Sequence, residues 1–264
     1  MTRLGLIGAG RWGQNYIRTI QSLPDLSLVD VVTRNWRPLV DRHRVDGIII
    51  ATPPSTHAEM VMAAIQAGLP CMVEKPLTTN LAEALAIQAI AQDPLVLVNH
   101  TQLFNPGYLA LKRAAIQVIS IEAEAGNYGP FRPDYSALWD YAPHDLSMCL
   151  DLLGTHPVKV ELRHAELTGE GGSYELALEF PGGVQANIKI SNIRQDKVRR
   201  FTVRCVAGTL VFDDLAQPKR PDEMPLRRAV QMFVDGICGG SRAMFGLDLG
   251  VEIVRILASV QDPA

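Results

Sequence analysis

A glycine-rich turn near the start of the chain constrains the fold more than any other feature. An apolar run typical of a buried strand, residues 4–7, leads directly into a G-x-G-x-x-G turn, and a helix is predicted over residues 15–23. In such turns the first glycine permits a tight bend, the second lets the backbone approach a pyrophosphate, and the third lets the helix pack on the strand. The turn predicts a dinucleotide site formed by Gly8, Gly10, Arg11, Trp12 and Gly13.

Composition excludes several classes of function. The 264 residues are enough for two domains, and 47% hydrophobic with 20% charged residues is ordinary for a globular protein. A net charge of −3 provides no basic field for a phosphodiester backbone, so we expect no nucleic-acid partner.

The cysteines and apolar runs point to a cytoplasmic protein. The four cysteines are scattered without a C-x-x-C pair or a zinc-finger histidine spacing, so a reducing compartment is expected and no metal site is predicted. No apolar run approaches the roughly 20 residues of a membrane span, and the first strand begins almost at once, without a signal-peptide pattern. We therefore expect no membrane association.

The end of the second predicted strand, residues 26–33, bears on the choice of cofactor. Dinucleotide-binding folds often place a carboxylate there for the adenosine ribose, but this chain has Thr33 and Arg34. Asp30 comes three residues too early and is interpreted as a polar residue of the strand edge. NADP is therefore favoured over NAD. Only residues 34–46 connect this strand to the next, so thin cover of the adenosine side is expected.

The third and fourth predicted strands end in polar segments where ligands of parallel sheets bind. Residues 47–51 form an apolar strand followed by a helix, for which Thr56 and Glu59 make a capping-box pattern. Residues 70–74 form the next strand, and Asn80 with Glu83 predicts a second capped helix. Cofactor contacts are predicted for Ala51, Thr52, Pro53, Pro54 and His57, while Glu74 and Lys75 end the fourth strand.

Three polar residues near these strand ends also have ordinary structural interpretations. His57 is also placed to cap its helix, and a lysine such as Lys75 at a strand end is commonly a solvated surface charge. His100 follows the fifth strand, residues 95–98, where it faces either the cleft or solvent. It is not assigned a catalytic role.

The pattern changes after residue 117 from alternating strands and helices to strands in series. Glycine-containing turns at residues 181–183 and 207–208 predict hairpins, and alternating polarity over residues 174–180 predicts an antiparallel sheet with one covered face. The predicted fold class is α/β: a doubly wound, parallel Rossmann domain followed by an α+β domain with a largely antiparallel open sheet. The predicted domains are residues 1–117 and 118–264, and helices are expected over residues 141–153, 226–237 and 249–260.

Three segments together carry a resemblance to a known family. They are the glycine turn, the segment from Ala51 to His57, and the triplet Glu74-Lys75-Pro76, followed by a domain that contains the segment from Trp139 to Asp145. In this order and spacing the chain resembles the Gfo/Idh/MocA family of NAD(P)-dependent oxidoreductases, which act mostly on sugars, sugar nucleotides and cyclic polyols. The E-K-P triplet is the specific part: its lysine lies beside the nicotinamide in that family, so the resemblance implies cofactor contacts for Glu74 and Lys75.

The resemblance implies three catalytic residues, Lys75, Asp140 and His144. A histidine suits removal of the hydroxyl proton as hydride leaves the carbon, and Lys75 would bind the same oxygen. The alternatives are that Asp140 only favours the N-terminus of its helix and that His144 is a packed helix residue. The resemblance also points to the sugar-nucleotide branch, with Asn127 and Arg132 as substrate contacts beside the catalytic three.

Several positions depart from the family pattern. Many members have an acid three residues after the catalytic histidine, where this chain has Ser147, while Asp145 follows His144 directly. The connections after Thr33 and near Ile116 are shorter than usual in the family.

The sequence thus predicts a dehydrogenase that transfers hydride between a nicotinamide cofactor and a secondary alcohol or ketone of a sugar-like substrate. The alternative is a non-catalytic, dinucleotide-binding regulator of the same fold. Family members commonly pair through the second sheet, so a homodimer or homotetramer is expected.

Overall fold

The computed structural model describes residues 1–40, 44–91, 95–169, 171–217, 223–240 and 246–260. The helices and strands are, in chain order, β1 (Thr2–Ile7), α1 (Arg11–Gln21), β2 (Leu26–Val32), β3 (Gly47–Ile50), α2 (His57–Gln66), β4 (Cys71–Glu74), α3 (Leu81–Ile90), β5 (Val96–Asn99), α4 (Pro106–Ala114), β6 (Val118–Tyr128), α5 (Ala137–Leu153), β7 (Lys159–Thr168), β8 (Gly171–Glu179), β9 (Gln185–Ser191), β10 (Ile193–Cys205), β11 (Gly208–Asp213), α6 (Pro225–Ile237) and α7 (Leu247–Ser259). The segments that contact one another most densely form two compact units, residues 1–101 with 224–254, and residues 102–223 with 255–264.

The first unit is built on a parallel sheet in the strand order β2-β1-β3-β4-β5. Strands β3, β4 and β5 are buried along their whole length, as the apolar runs predicted. The strand order reverses direction between β1 and β3, and right-handed crossovers then place α1 on one face and α2 with α3 on the other. Contacts between α2 and α3, and between α1 and α6, agree with this arrangement. The gap between the carboxyl ends of β1 and β3 is the switch point where such sheets bind ligands.

The connection between β2 and β3 is short, as expected. Its described part contains a single 3-10 turn, Arg37–Val40, while residues 41–43 lie outside the described residues. Leu39 is only 1% exposed and lies where a β-carbon on Gly5 would stand, 2.8 Å from the leucine Cδ2. In the described part of this connection, the Leu39 side chain therefore packs directly on β1 at Gly5.

The division into units differs from the predicted boundary between residues 117 and 118. Helix α6 packs on the parallel sheet: a β-carbon on Gly47 would lie 2.7 Å from Ile237, and one on Gly236 would lie 2.6 Å from Leu95. Helix α4 belongs instead to the second unit, where Gly107 packs against Phe212. The sequence of a helix such as α6 or α4 reveals its apolar face, but it does not reveal which of the two sheets that face covers.

The second unit contains a six-stranded sheet in the order β11-β10-β6-β9-β8-β7. All neighbours are antiparallel except β6 and β9, which run parallel because β6 enters the middle of the sheet between β10 and β9. The predicted hairpins β8–β9 and β10–β11 are present. One face, which includes Tyr174, Leu176 and Ile188, is buried, and α5 packs against β6, β8 and β9. The predicted fold class is confirmed.

Two predicted helix starts need correction. Helix α1 begins at Arg11 rather than at residue 15, and α5 begins at Ala137 rather than at residue 141. The Thr56 capping box is wrong: the Thr56 hydroxyl makes no cap bond and donates instead to Thr52 Oγ1 and to the Pro53 carbonyl, both at 2.8 Å. Asn80 does cap α3, because its Oδ1 accepts from the backbone N–H groups of Ala82 and Glu83.

Candidate active site

The glycine turn has two glycines that the protein's own packing requires. Gly8 has a φ of +105°, and a β-carbon there would lie 2.4 Å from the Ala51 carbonyl oxygen. A β-carbon on Gly13 would lie 2.1 Å from the Gly8 carbonyl oxygen. These two positions hold β1, β3 and the start of α1 close together at the switch point.

The remaining glycine of the turn, Gly10, is open. A β-carbon on Gly10 would meet no atom within 4 Å, and Gly10 precedes the first residue of α1. The first helical bond runs from the Gln14 N–H to the Gly10 carbonyl, so the N–H groups of the preceding helix residues have no helical acceptor. The first turn of α1 contains no acidic residue, and Arg11 and Trp12 are exposed there. These residues fit the pyrophosphate of a dinucleotide.

The end of β2 has the character that the sequence predicted. Thr33 and Arg34 are both exposed. Asp30 Oδ1 accepts a 2.9 Å hydrogen bond from the Val31 N–H, which agrees with its interpretation as a polar residue of the strand edge. None of the residues directly after β2, from Thr33 to Arg37, carries a carboxylate, and Arg34 supplies a guanidinium instead.

His57 connects the two loops that follow β3 and β4. Its side chain is fully buried, and its ring nitrogens Nδ1 and Nε2 each lie 2.9 Å from a carbonyl oxygen, of Pro76 and Thr52 respectively. Burial lowers the pKa of the ring, while the two carbonyl oxygens oppose this shift. The loop that carries Thr52, Pro53 and Pro54 is thereby fixed to the loop that carries Lys75.

A buried hydrogen-bond network lies at the carboxyl ends of β4 and β5. Glu74 Oε1 accepts from Tyr16 Oη at 2.6 Å and from Asn99 Nδ2 at 2.8 Å, and Asn99 Nδ2 lies 2.7 Å from Tyr16 Oη. Burial raises the pKa of Glu74, and burial together with the Glu74 charge raises the pKa of Tyr16 well above its ordinary value. The network joins α1, which starts at the glycine turn, to the strand that ends in Glu74.

Lys75 follows this network directly, and the peptide bond between Lys75 and Pro76 is cis. Lys75 is 8% exposed, so the alternative interpretation as a solvated surface charge is wrong. His100 occupies the equivalent position after β5, because Glu74 and Asn99 are paired in the parallel register. His100 is fully buried.

Asp140 and His144 lie on α5 in the second unit. Asp140 is in the first turn of the helix, and His144 comes four residues later, so both side chains leave the same face. Arg132 Nε lies 3.4 Å from Asp140 Oδ2, and the two side chains are 36% and 12% exposed. The helix therefore presents a half-buried carboxylate and a half-buried imidazole side by side.

Asn127 is engaged by other groups of its own unit. Tyr141 Oη donates to Asn127 Oδ1 at 2.6 Å, and Asn127 Nδ2 donates to the carbonyl oxygens of Tyr128 and Gly129. Its role in binding substrate stays a prediction.

The two departures from the family pattern have structural explanations. Ser147 Oγ donates to the His144 carbonyl at 2.7 Å, within α5. Asp145 is 1% exposed and forms an ion pair with Arg199 on β10, with 3.1 Å between Oδ2 and Nη1. Burial raises the pKa of Asp145, and Arg199 opposes the shift. The acid beside His144 thus anchors the helix to the sheet.

Sequence reasoning missed Tyr16, Asn99, Tyr141 and Arg199. Tyr16 and Asn99 are polar residues on elements whose buried faces are otherwise apolar, and that signal was available. Their partner Glu74 is 58 and 25 residues distant, so the pairing itself required the fold.

Within the described ranges, no helix has the length and apolar character that crossing a membrane requires. Those same residues contain no group of three or more histidine, cysteine or acidic side chains arranged for a metal ion.

Comparison with known proteins agrees with this geometry. Residues 29–100 match the model of the Gfo/Idh/MocA family, described as an oxidoreductase family with an NAD-binding Rossmann fold. UDP-N-acetylglucosamine 3-dehydrogenase of Acidithiobacillus ferrooxidans is 30% identical over 221 residues, which cover 76% of this chain and 70% of that protein. Inositol 2-dehydrogenase 2 of Saccharopolyspora erythraea is 26% identical over 223 residues, covering 71% of this chain and 66% of that protein.

A solved structure extends the similarity over nearly the whole chain. It comes from Magnetospirillum magnetotacticum, and its protein is described only as an oxidoreductase; it is 39% identical with a TM-score of 0.88 and covers 98% of this chain and 99% of its own. The match to the family model, the extent of the alignment with the relatives and the geometry of the glycine turn all indicate the same family. The chain belongs to the Gfo/Idh/MocA oxidoreductase family, which has an NAD-binding Rossmann fold.

Proposed function

We propose that the protein is an NAD(P)-dependent dehydrogenase or reductase that interconverts a secondary alcohol and a ketone on a sugar, sugar nucleotide or cyclic polyol. Lys75 is the observation that carries the proposal. It is a nearly buried lysine at the carboxyl end of β4, one strand from the switch point of an NAD-binding sheet, with the buried Glu74 network directly before it. A cation there opposes negative charge that develops on a reacting oxygen.

The proposed roles follow from the chemistry of each side chain. A nicotinamide cofactor, when bound, would supply the hydride chemistry in either direction. Lys75 donates a hydrogen bond to the substrate oxygen, and His144 removes the hydroxyl proton or returns it. Asp140, on the same helix face, supports the imidazolium that forms when His144 holds that proton.

The binding residues can be assigned in the same way. Gly10, Arg11, Trp12 and the start of α1 would hold the pyrophosphate, and the loop from Ala51 to Pro54 would line the site at the switch point. Glu74 and His57 act through protein contacts, since the carboxylate and both ring nitrogens are engaged. They hold the loops that meet the cofactor.

We propose further that NADPH binds at least as tightly as NADH. Arg34 is exposed at the end of β2, where a carboxylate would repel a 2′-phosphate, and one charge-assisted bond to phosphate contributes about 1.5–3 kcal/mol. Fluorescence titration of the wild-type protein and Arg34→Ala tests this. The variant should lose affinity for NADPH about tenfold and keep its affinity for NADH; a clear preference of the wild type for NADH contradicts the proposal.

The substrate class follows from the relatives and from Arg132. The relatives named above act on a sugar nucleotide and on inositol, and both substrates carry ring hydroxyls. Arg132 is partly exposed beside Asp140 and is a suitable contact for an anionic substituent. Turnover of UDP-N-acetylglucosamine and myo-inositol with each nicotinamide cofactor distinguishes the two. Reduced cofactor formed with neither of them, nor with related sugars and polyols, would favour the regulator alternative.

We also propose a homodimer or homotetramer formed through the outer face of the second sheet. That face carries Glu175, Glu179, Gln185, Asn187 and Lys189, which alternate with buried residues on β8 and β9. Its cross-strand partners include Asn187 with Glu122 at 2.8 Å and Lys189 with Glu175 at 3.8 Å. A cytoplasmic location likewise stays a prediction.

A further inference from the structure

His100 is placed at the same edge of the parallel sheet as Lys75. It is the first residue after β5, and its backbone N–H donates to the Val98 carbonyl at 2.9 Å. Because Glu74 and Asn99 face each other in the register of β4 and β5, Lys75 and His100 leave neighbouring strands at the same level. The His100 side chain has no exposed surface.

The ring of His100 has no hydrogen-bond partner among the residues that the structure describes. Neither Nδ1 nor Nε2 is paired, although both atoms are buried. His57, which is equally buried in the same unit, has a carbonyl oxygen 2.9 Å from each ring nitrogen. Buried polar groups are nearly always paired in folded proteins, so an unpaired imidazole next to a nearly buried lysine points to a partner outside the chain.

A second unpaired acceptor lies on the preceding residue. Asn99 uses its amide nitrogen for Tyr16 and Glu74, while its Oδ1 is buried without a partner in the described part of the chain. The end of β5 therefore holds two adjacent residues with unmatched polar atoms. In the same unit, the buried Glu74 carboxylate accepts two hydrogen bonds, and each His57 ring nitrogen lies 2.9 Å from a carbonyl oxygen.

The charge state of His100 restricts what it can bind. Burial, together with the positive charge of Lys75, lowers the pKa of the ring to about 3. The imidazole is neutral near pH 7 and offers one N–H donor and one nitrogen acceptor. It is a poor proton acceptor for the reaction, which leaves that task to His144.

We propose that His100 is a ligand-binding residue of this site, where its ring pairs with an uncharged ligand group that carries both a donor and an acceptor. Two groups of the reaction have this chemistry: the carboxamide of the nicotinamide and a hydroxyl of the substrate. The inference rests on the proposed function. It adds to that function a fourth polar side chain at the reacting end of the site.

The test replaces His100 with leucine, which is similar in volume and removes both ring nitrogens. NADH and ADP-ribose are titrated into the wild type and His100→Leu, since ADP-ribose lacks the nicotinamide, and KM is measured for the substrate that the wild type turns over. His57→Leu is the matched control for loss of a buried imidazole. Unfolding temperatures without ligand are measured for all three proteins, and His100→Phe replaces His100→Leu if the latter does not fold.

The expected results separate a ligand contact from a structural role. His100→Leu should keep or raise the unfolding temperature, because no protein hydrogen bond is lost, whereas His57→Leu should lower it. If the ring binds the nicotinamide carboxamide, His100→Leu should lose about 3- to 10-fold in affinity for NADH and keep its affinity for ADP-ribose. If the ring binds a substrate hydroxyl, the substrate KM should rise by about 3- to 10-fold while both nucleotide affinities stay unchanged.

Two results overturn the inference. One is wild-type affinity for NADH together with wild-type KM in a folded His100 variant, and the other is an equal loss of NADH and ADP-ribose affinity. A wild-type protein that binds no nicotinamide nucleotide, or turns over no substrate, contradicts the proposed function itself.

Discussion

Lys75 and His144 act on one substrate oxygen in the proposed mechanism, from different elements of the fold. His144→Ala removes the group that takes the proton, so turnover should fall by about 10²–10⁴. Its affinity for the cofactor should stay close to that of the wild type, because His144 belongs to α5 and not to the unit that carries the glycine turn. Steady-state kinetics and nucleotide titration measure the two effects separately.

Lys75→Ala should lower turnover by a similar factor and weaken cofactor binding modestly, because Lys75 lies at the edge of the NAD-binding sheet. The double variant should lose less than the product of the two single losses, since groups that act as a unit are not additive. Strictly multiplicative losses would mean that the two residues do not share one step.

At the scale of elements, the glycine turn contains one glycine that packing requires, Gly13, and one that is open to a ligand, Gly10. Gly13→Ala should destabilise the protein by more than about 2 kcal/mol, because its β-carbon would lie 2.1 Å from the Gly8 carbonyl oxygen. Gly10→Ala should keep or gain stability by about 0.4–1 kcal/mol, since its φ of −68° suits alanine and no atom is near. Urea unfolding measures both changes.

Gly10→Ala should nevertheless lose cofactor affinity at least about tenfold, because the new methyl group would occupy the space into which a pyrophosphate approaches. A Gly10→Ala protein that binds NADH or NADPH as tightly as the wild type would show that the phosphates do not lie on this turn.

The role of the Tyr16 network can be tested by comparing Tyr16 with a second buried tyrosine, Tyr108. Tyr108 is as buried as Tyr16 and also donates to a carboxylate, that of Asp151, which Lys112 contacts at 2.7 Å. Tyr16→Phe and Tyr108→Phe should each reduce the free energy of unfolding by about 1–3 kcal/mol. Only Tyr16→Phe should also reduce turnover, because its partner Glu74 precedes Lys75. Equal turnover in the two variants would indicate a purely structural network.

At the scale of the whole molecule, much of the fold could be predicted from the sequence. The glycine turn, the apolar runs of β3 to β5 and the hairpin turns of the second sheet are local signals, and the structure bears them out. The parallel β6–β9 pair and the packing of α6 on the first sheet were not predicted, because both depend on contacts between residues far apart in the chain.

The candidate site divides in the same way. Lys75, Asp140 and His144 are predicted as catalytic from the motifs that carry the family resemblance, and that role stays a prediction. The roles of Tyr16 and Asn99 became visible only in the fold, which places them beside Glu74. The position of His100 after a strand did not predict that its ring would be buried without a hydrogen-bond partner among the described residues. Thr56 was misjudged because its hydroxyl has a competing acceptor in Thr52.

Assembly is a property of the whole molecule, and the pairing of family members through the second sheet predicts a homodimer or homotetramer; a polar outer face that is only solvated would allow a monomer. Light scattering at micromolar concentration should give a mass of at least twice 28.9 kDa. Ala177, which is 5% exposed and lies on that face of β8 between Glu161 and Asn187, is a suitable position for disruption. Ala177→Arg should reduce the mass to that of one chain, and a monomeric wild type would contradict the proposed pairing.

Hydride transfer is the central claim, and isotope transfer tests it most directly. The wild-type protein is incubated with oxidised nicotinamide cofactor and a polyol or sugar nucleotide that carries deuterium on its reacting carbon, and the reduced cofactor is analysed by mass spectrometry. The proposed function predicts deuterium on the nicotinamide ring of the reduced cofactor, in amounts that fall sharply for His144→Ala and Lys75→Ala. Reduced cofactor without deuterium, or none formed by a wild-type protein that binds both ligands, would contradict it.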